Sequence, residues 1–186
     1  MFIIKNYYYL YIENTKDIEI NSIKKSKKIF IIYRNQGAPE NKVNLIAFRK
    51  QCKQKRFGLY IANNYKLAKY CKADGLYISS YNKKKYLKKG LNIIGSAHNF
   101  KEIYQKLKQG CSTIILSRLF KTSYKNKNGN LGIIKFNLIR NNYLVNIIPL
   151  GGINNLNLLK LNLVMTKGVA LFSEVKKKPV ITNRLF

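Results

Sequence analysis

Two stretches in the last quarter of the chain carry residue types that can hold an anion. Ile147-Ile148-Pro149-Leu150-Gly151-Gly152-Ile153-Asn154 is a β-run that ends in two glycines, then polar residues, then a helix candidate. Gly168-Val169-Ala170-Leu171-Phe172-Ser173 is a second β-run between small residues. If these are neighbouring strands of a barrel, their trailing loops lie side by side. Backbone N–H groups and a helix start can bind phosphate there. Glycine lets the backbone approach an anion that a Cβ would hold off. A tight strand-to-helix turn also uses Gly-Gly with no ligand, so the pair alone does not decide the matter.

Other chemistries are limited by supply. The acids are Glu13, Asp17, Glu19, Glu40, Asp74, Glu102 and Glu174, and any carboxylate pair or metal cage must draw on these seven. The one histidine, His98, excludes a multi-histidine zinc site. It leaves a Ser-His-Asp triad formally open, with nothing around it to suggest one. A structural polar contact at a helix start is the favoured reading of His98. Cys52, Cys71 and Cys111 are odd in number, widely spaced and form no CxxC. They read as free, reduced thiols of a cytoplasmic protein, each a small buried hydrophobe.

Lys and Arg number 36 against 7 acids, a formal charge of +29. Nucleic acid, an anionic membrane or a phosphorylated small ligand would each match that charge. Lys, Asn, Ile, Tyr and Phe are all abundant and Trp is absent. This looks like a bias toward AT-rich codons, and it favours drift over a dedicated basic surface. No RNP signature, zinc finger or KH loop is present, so nucleic acid is the least favoured partner. No run approaches the roughly 18 apolar residues of a membrane span, and MFIIKNYYYLYIEN makes a poor signal peptide.

The elements that must position these residues follow from short apolar runs at fairly even intervals. They are Tyr7–Ile12, Ile29–Arg34, Phe57–Ala62, Gly75–Ser79, Asn92–Ala97, Thr113–Ser117, Asn146–Gly151 and Gly168–Ser173. Runs of this kind bounded by turn signals fit buried parallel strands. Helix-period segments lie between many of them: Asn41–Lys55, Tyr65–Lys72, Asn99–Gln109 and the shorter Leu156–Leu163. Asn99 is an N-cap candidate with Glu102 in the capping-box position, and Gly110 stops that helix. Alternation of strand and helix predicts a parallel sheet, and eight strands predict a compact (β/α)8 TIM barrel over residues 1–186. The length is below the usual floor of about 200 residues. The crossovers Asn14–Lys28 and Lys83–Gly90 are therefore expected to be shortened. An open doubly wound sheet is the alternative. In a barrel, Asp74 precedes strand 4 at the end away from the chemistry, and it reads as orienting a turn.

The order of motifs resembles the thiamine phosphate synthase and thiazole tautomerase family, from about Ile29 to Val175. The pieces are Tyr33-Arg34, Ile61-Ala62-Asn63-Asn64, Ala73-Asp74-Gly75-Leu76-Tyr77 and Gly95-Ser96-Ala97-His98-Asn99. Then come Phe120-Lys121-Thr122-Ser123-Tyr124-Lys125, Leu150-Gly151-Gly152-Ile153 and Gly168-Val169-Ala170-Leu171-Phe172-Ser173. The resemblance implies an enzyme of thiamine biosynthesis with phosphorylated thiazole and pyrimidine ligands. The synthase joins a hydroxymethylpyrimidine pyrophosphate to thiazole phosphate and releases pyrophosphate. Position by position, it implies Arg34 on pyrophosphate with Asn63 beside it. It implies Ser96, Thr122 and Lys125 on phosphates, with Arg34 and Lys125 carrying the catalysis. Gly151, Gly152, Phe172 and Ser173 form the thiazole-phosphate cradle.

The departures are as informative. The two aspartates that bind Mg2+ in the synthase are Asn64 and Asn82 here. An amide offers a carbonyl oxygen without charge, so any Mg2+ site is expected to be weakened. Gln36 stands for a lysine, Tyr77 for a histidine, and Arg118 for the tautomerase histidine. A non-catalytic or repurposed barrel that binds a phosphorylated ligand is the alternative reading. A homo-oligomer is left open.

Overall fold

The computed structural model describes residues 5–37, 40–85, 90–122 and 129–172. The eight β-branched and aromatic runs form eight strands. These are β1 (Tyr7–Ile12), β2 (Ile29–Tyr33), β3 (Gly58–Ala62), β4 (Gly75–Ile78), β5 (Asn92–Ala97), β6 (Thr113–Ser117), β7 (Asn146–Leu150) and β8 (Gly168–Leu171). Each pairs in parallel with the next, and β1 pairs with β8 from Tyr7 opposite Gly168 to Leu10 opposite Leu171. The sheet therefore closes into a (β/α)8 barrel, and the open doubly wound alternative falls. The β7–β8 seam is the narrowest, joined at Leu150 opposite Ala170.

Shortened crossovers explain how the barrel fits in 186 residues. Between β1 and β2 the helix is replaced by two 3₁₀ turns, Thr15–Asp17 and Ile20–Ser22. Three helices fall where the periodicity predicts them: α1 (Lys42–Gln54), α2 (Tyr65–Tyr70) and α3 (Phe100–Lys108). Each starts on an asparagine whose side chain accepts a backbone N–H, from Val43 for Asn41, Leu67 for Asn64 and Glu102 for Asn99. Such a cap satisfies one orphan donor of the first turn. Glu102 reaches back one residue further than a capping box requires, to the His98 N–H. A fourth helix, α4 (Gly132–Asn141), has no counterpart in the sequence expectations. Its N-cap is Leu131, which offers no side-chain acceptor, so the usual start signal is missing. The segment Leu158–Leu163 is 3₁₀ and not α-helical.

Strand periodicity decides which residues reach the site. Tyr8, Leu10, Ile12, Ile29, Ile31, Leu59, Ile61, Leu76 and their equivalents point outward, under the helices. Tyr9, Tyr11, Ile32, Tyr60, Tyr77, Ile94, Ile115, Ile148 and Ala170 fill the barrel. Four of these nine are tyrosines, so the interior is stacked aromatic. Room for them comes from glycine in the wall. A Cβ on Gly75 would lie 2.2 Å from the Tyr60 ring and 2.5 Å from the Asn92 carbonyl. At the opposite end from the site, Asp74 accepts from both terminal nitrogens of Arg49 (2.7 and 2.7 Å) and from the Leu59 N–H. It ties α1 to β3, which is the turn-orienting role expected of it.

Candidate active site

The alternation that fills the barrel also aims its last side chains. At the C-terminal end of the strands, Tyr11, Glu13, Arg34, His98, Ser117, Arg118, Leu150 and Phe172 surround a cleft of about 470 Å³. Gln36, Thr122, Gly151 and Gly152 complete its lining. Arg34 also borders an adjoining cleft of about 430 Å³ with Asn63 and Tyr81. Arg34 and Gln36 thus line both halves of the barrel mouth.

Tyr11 forms the floor. It is 1 % exposed and packs edge-on against Tyr77 (5.4 Å) and Phe172 (6.0 Å). Burial pushes its phenol well above the usual range, so it stands as a neutral donor. The Tyr77 phenol also raises it and the Arg34 charge lowers it, which puts both close by. Tyr77 and Tyr11 perturb one another's ionisation, yet Tyr11 Oη completes no hydrogen bond. Arg34 Nε is likewise buried with no partner. Native proteins rarely leave such donors unmet, and each costs about 1–3 kcal/mol. Two orphaned donors beside one cleft call for an oxygen-rich ligand.

The opposite wall explains the glycine pair. Gly151 and Gly152 have φ of +99° and +71°, the left-handed region that favours glycine. A Cβ on Gly152 would lie 2.4 Å from the Phe120 carbonyl oxygen, and one on Gly151 would lie 3.0 Å from Arg118 Cγ. The pair therefore lets the loop after β6 pack onto the loop after β7. Phe120 N–H donates to the Gly151 carbonyl (3.0 Å) and Asn157 Nδ2 donates to the Gly152 carbonyl (2.6 Å). Arg118 lies over Gly151, and its Nη1 reaches Thr122 Oγ1 (3.3 Å). His98 Nδ1 and Ser117 Oγ are 2.7 Å apart on the same lining. Glu102 bonds the His98 backbone and not its ring, so no triad forms among the described residues.

The half of the mouth above β4 is an amide network. Asn63 Oδ1 accepts from the Ser79 N–H (2.9 Å) and from Asn82 Nδ2 (3.0 Å). Its Nδ2 donates to Ser79 Oγ (2.8 Å) and Tyr81 Oη (3.1 Å). All four of its hydrogen-bonding positions are taken. Asn82 Oδ1 accepts from the Lys84 N–H (2.9 Å), and Asn64 Oδ1 caps α2. Behind the loop, Lys106 is fully buried and its ammonium donates to the carbonyls of Ser79 (2.7 Å) and Asn82 (2.8 Å) and to Gln109 Oε1 (2.9 Å). Burial pulls its pKa down. Gln109 Nε2 donates in turn to the Asn82 and Lys84 carbonyls. These two side chains hold a connection in which residues 79–85 form no helix. A divalent cation needs free, preferably anionic oxygens. Here each of the three candidate side-chain carbonyls already accepts a hydrogen bond and none carries charge, an ammonium sits behind them, and no trio of His, Cys, Asp or Glu gathers among the described residues. Glu13, on the other cleft, is the one carboxylate in the two linings. The donor set does not fit the metal.

The structure thus brings together Arg34, Thr122, Gly151, Gly152 and Phe172, with Asn63 at the adjoining cleft. Ser96 is 8 % exposed, sits against the Tyr77 phenol inside the barrel and lines neither cleft. Asn64 and Asn82 are placed as described, as a helix cap and a loop amide. Lys125 and Ser173 lie outside the described residues. Sequence reasoning missed Tyr11 and the His98–Ser117 contact. The signal was present for Tyr11: two residues after the inward Tyr9, it shares that face.

The family model described as thiamine monophosphate synthase matches residues 17–175. The chain belongs to the thiamine monophosphate synthase family. Among solved structures, it is similar to the thiamine phosphate pyrophosphorylase from Pyrococcus furiosus, with TM-score 0.74 and 18% identity over 97% of this chain and 92% of that one. It is also similar to the thiamine phosphate pyrophosphorylase from Bacteroides thetaiotaomicron, with TM-score 0.57 and 12% identity over 91% and 83%. KGPDC from Streptococcus mutans shares the fold at TM-score 0.63 and 8% identity over 97% and 94%. At these identities the solved structures show the fold alone. No curated protein matches the chain. No helix among the described residues is long and apolar enough to cross a membrane.

Proposed function

We propose that this barrel joins a hydroxymethylpyrimidine pyrophosphate to thiazole phosphate, forming thiamine phosphate and pyrophosphate. The observation that carries the reading is the pair of orphaned donors, Arg34 Nε and Tyr11 Oη, at a cleft whose far wall is the Gly151–Gly152 loop. In the reaction the bond from the pyrimidine methylene carbon to the pyrophosphate oxygen breaks, and the oxygen keeps the electron pair. The thiazole nitrogen then supplies the pair for the new carbon–nitrogen bond. Negative charge grows on the leaving group, and a fixed guanidinium in a partly desolvated cleft stabilises it. Arg34 takes that role. The neutral Tyr11 phenol donates to the same oxygens or to the ring between them. Gly151, Gly152 and Thr122 face the thiazole phosphate, and Phe172 packs on the thiazole. On sequence grounds Lys125 and Ser173 add contacts to the two phosphates.

Arg34→Ala removes the leaving-group charge partner, and turnover should fall by at least about 10²-fold, the scale of one lost transition-state donor. Near-normal formation of thiamine phosphate by that variant would refute the assignment. A second reading is a barrel that binds these phosphorylated ligands without turning them over. It is favoured by the asparagines at 64 and 82. It predicts thiazole phosphate binding in wild type with no product.

A further inference from the structure

The family resemblance places a divalent cation above β3 and β4, and the residues there do not suit one. We infer that the mouth takes a pyrophosphate group as the free anion, with no divalent cation, on Arg34 at the end of β2, with Arg118 after β6 supplying the second positive charge of the cleft. The inference rests on the proposed function of the same cleft and adds how its charge is balanced.

Three observations carry it. The first is the closed amide network. Asn63 has no free position, the Asn82 and Asn64 carbonyls are already acceptors, and the carbonyl of Asn82 itself is held by the Lys106 ammonium at 2.8 Å. A dication at that loop would sit next to a buried positive charge, with no carboxylate supplied in return. The outer rim continues the pattern, since Lys83 and Lys84 line a cleft with Asn63, Tyr81 and Asn82. Where a metal would add positive charge, the chain already carries it.

The second observation is the state of Arg34. Its Nε is buried and unpartnered, and the Tyr11 hydroxyl beside it is unpartnered too. A guanidinium whose buried Nε is unmet is suited to a phosphate oxygen that can accept from it. The third is the placement of Arg118. The bare Cα of Gly151 leaves the space its side chain crosses, and its Nη1 lies 3.3 Å from Thr122 Oγ1. β2 and β6 are four staves apart in an eight-stranded barrel, so the two arginines enter the cleft from opposite sides. A ligand that meets both needs anionic oxygens at two points. A diphosphate, with its charge spread over two phosphoryl groups, offers more of them than a single phosphate.

The test is titration of the full chain with inorganic pyrophosphate by calorimetry, first with EDTA and then with excess Mg2+. Binding should be present in EDTA and several-fold weaker in Mg2+, because the metal neutralises the anion. Arg118→Ala should weaken binding in EDTA by about 10-fold or more, as expected for a lost charge-assisted pair. Three results would overturn the inference: pyrophosphate that binds only with Mg2+ or about 10-fold tighter with it, pyrophosphate that fails to bind while thiazole phosphate binds, or an Arg118→Ala variant with unchanged affinity. If neither ligand binds, the proposed function falls with it. The wild-type comparison needs no variant, so a folding defect in Arg118→Ala leaves the test intact.

Discussion

Tyr11 is the residue at which stability and function pull apart. Its ring is fixed by two edge-on aromatic contacts, each worth about 0.5–1.5 kcal/mol beyond burial. Its hydroxyl is buried beside the Tyr77 phenol and completes no hydrogen bond of good geometry, so it gives little back to the fold. Tyr11→Phe keeps the rings and removes the orphan. The account predicts unchanged or slightly higher stability in urea, by up to about 1 kcal/mol. It also predicts affinity for thiazole phosphate or pyrophosphate lowered by about 10-fold, or 1.4 kcal/mol. A clear loss of stability would mean that the hydroxyl is bonded in the free protein. Arg34 was legible as a functional residue because it ends a strand at the active face. Tyr11 hid among four tyrosines of β1, where only the inward register separates it from Tyr8.

At the scale of elements, residues 79–85 after β4 are held by side chains of another element. With no helix in this stretch, its backbone carbonyls depend on Lys106 and Gln109 from α3. Lys106→Met keeps the stem that packs on Gly95 and removes the ammonium. Amide exchange in Ser79–Lys84 should then accelerate by at least about 10-fold, while β2 and α1 stay protected. Equal acceleration everywhere would mean a global defect, and none at all would mean that the lysine does not hold the loop. This clamp was not legible in the sequence. Lys106 sits in a helix with lysines on either side, and nothing in its type tells a buried ammonium from a solvated one. The strands were legible because strands buried on both faces read as continuous apolar runs. The starts of α1, α2 and α3 were legible because each has an asparagine cap. For α4 the cap is missing, and the sequence is silent there for that reason. The family resemblance implies a phosphate cradle at the glycine pair. The structure adds a second cause, the close approach of Arg118 and the Phe120 carbonyl, which no spacing rule contains.

The whole molecule combines a charge of +29 with a core rich in acidic phenols and thiols kept neutral. Burial pushes the thiols of Cys52 and Cys111 from 9 up to about 12, and the phenols of Tyr33 and Tyr60 from 10 up to about 12. A raised pKa in the fold means that the unfolded chain loses these protons first. Their contribution is fully present below pH 9 and is lost as the pH climbs toward 12. The buried amines Lys5 and Lys106 are shifted down, which acts in the opposite sense over the range below 10.5. The phenols and thiols outnumber them. Self-repulsion also eases as lysines neutralise, so the experiment belongs in about 0.5 M salt, where that repulsion is screened. The urea midpoint should fall from pH 9 to pH 12 under those conditions. A flat or rising midpoint would contradict the assignment of these side chains to the core. The barrel's mouth carries positive charge too, with Arg34 and Arg118 in the lining of the cleft. The measurement that tests this most directly mixes the purified chain with the pyrimidine pyrophosphate and thiazole phosphate, and follows thiamine phosphate over time. The account predicts product above the enzyme-free background, lost on Arg34→Ala. No product from wild type, with both substrates shown to bind, would contradict it and leave a phosphate-binding barrel without the chemistry.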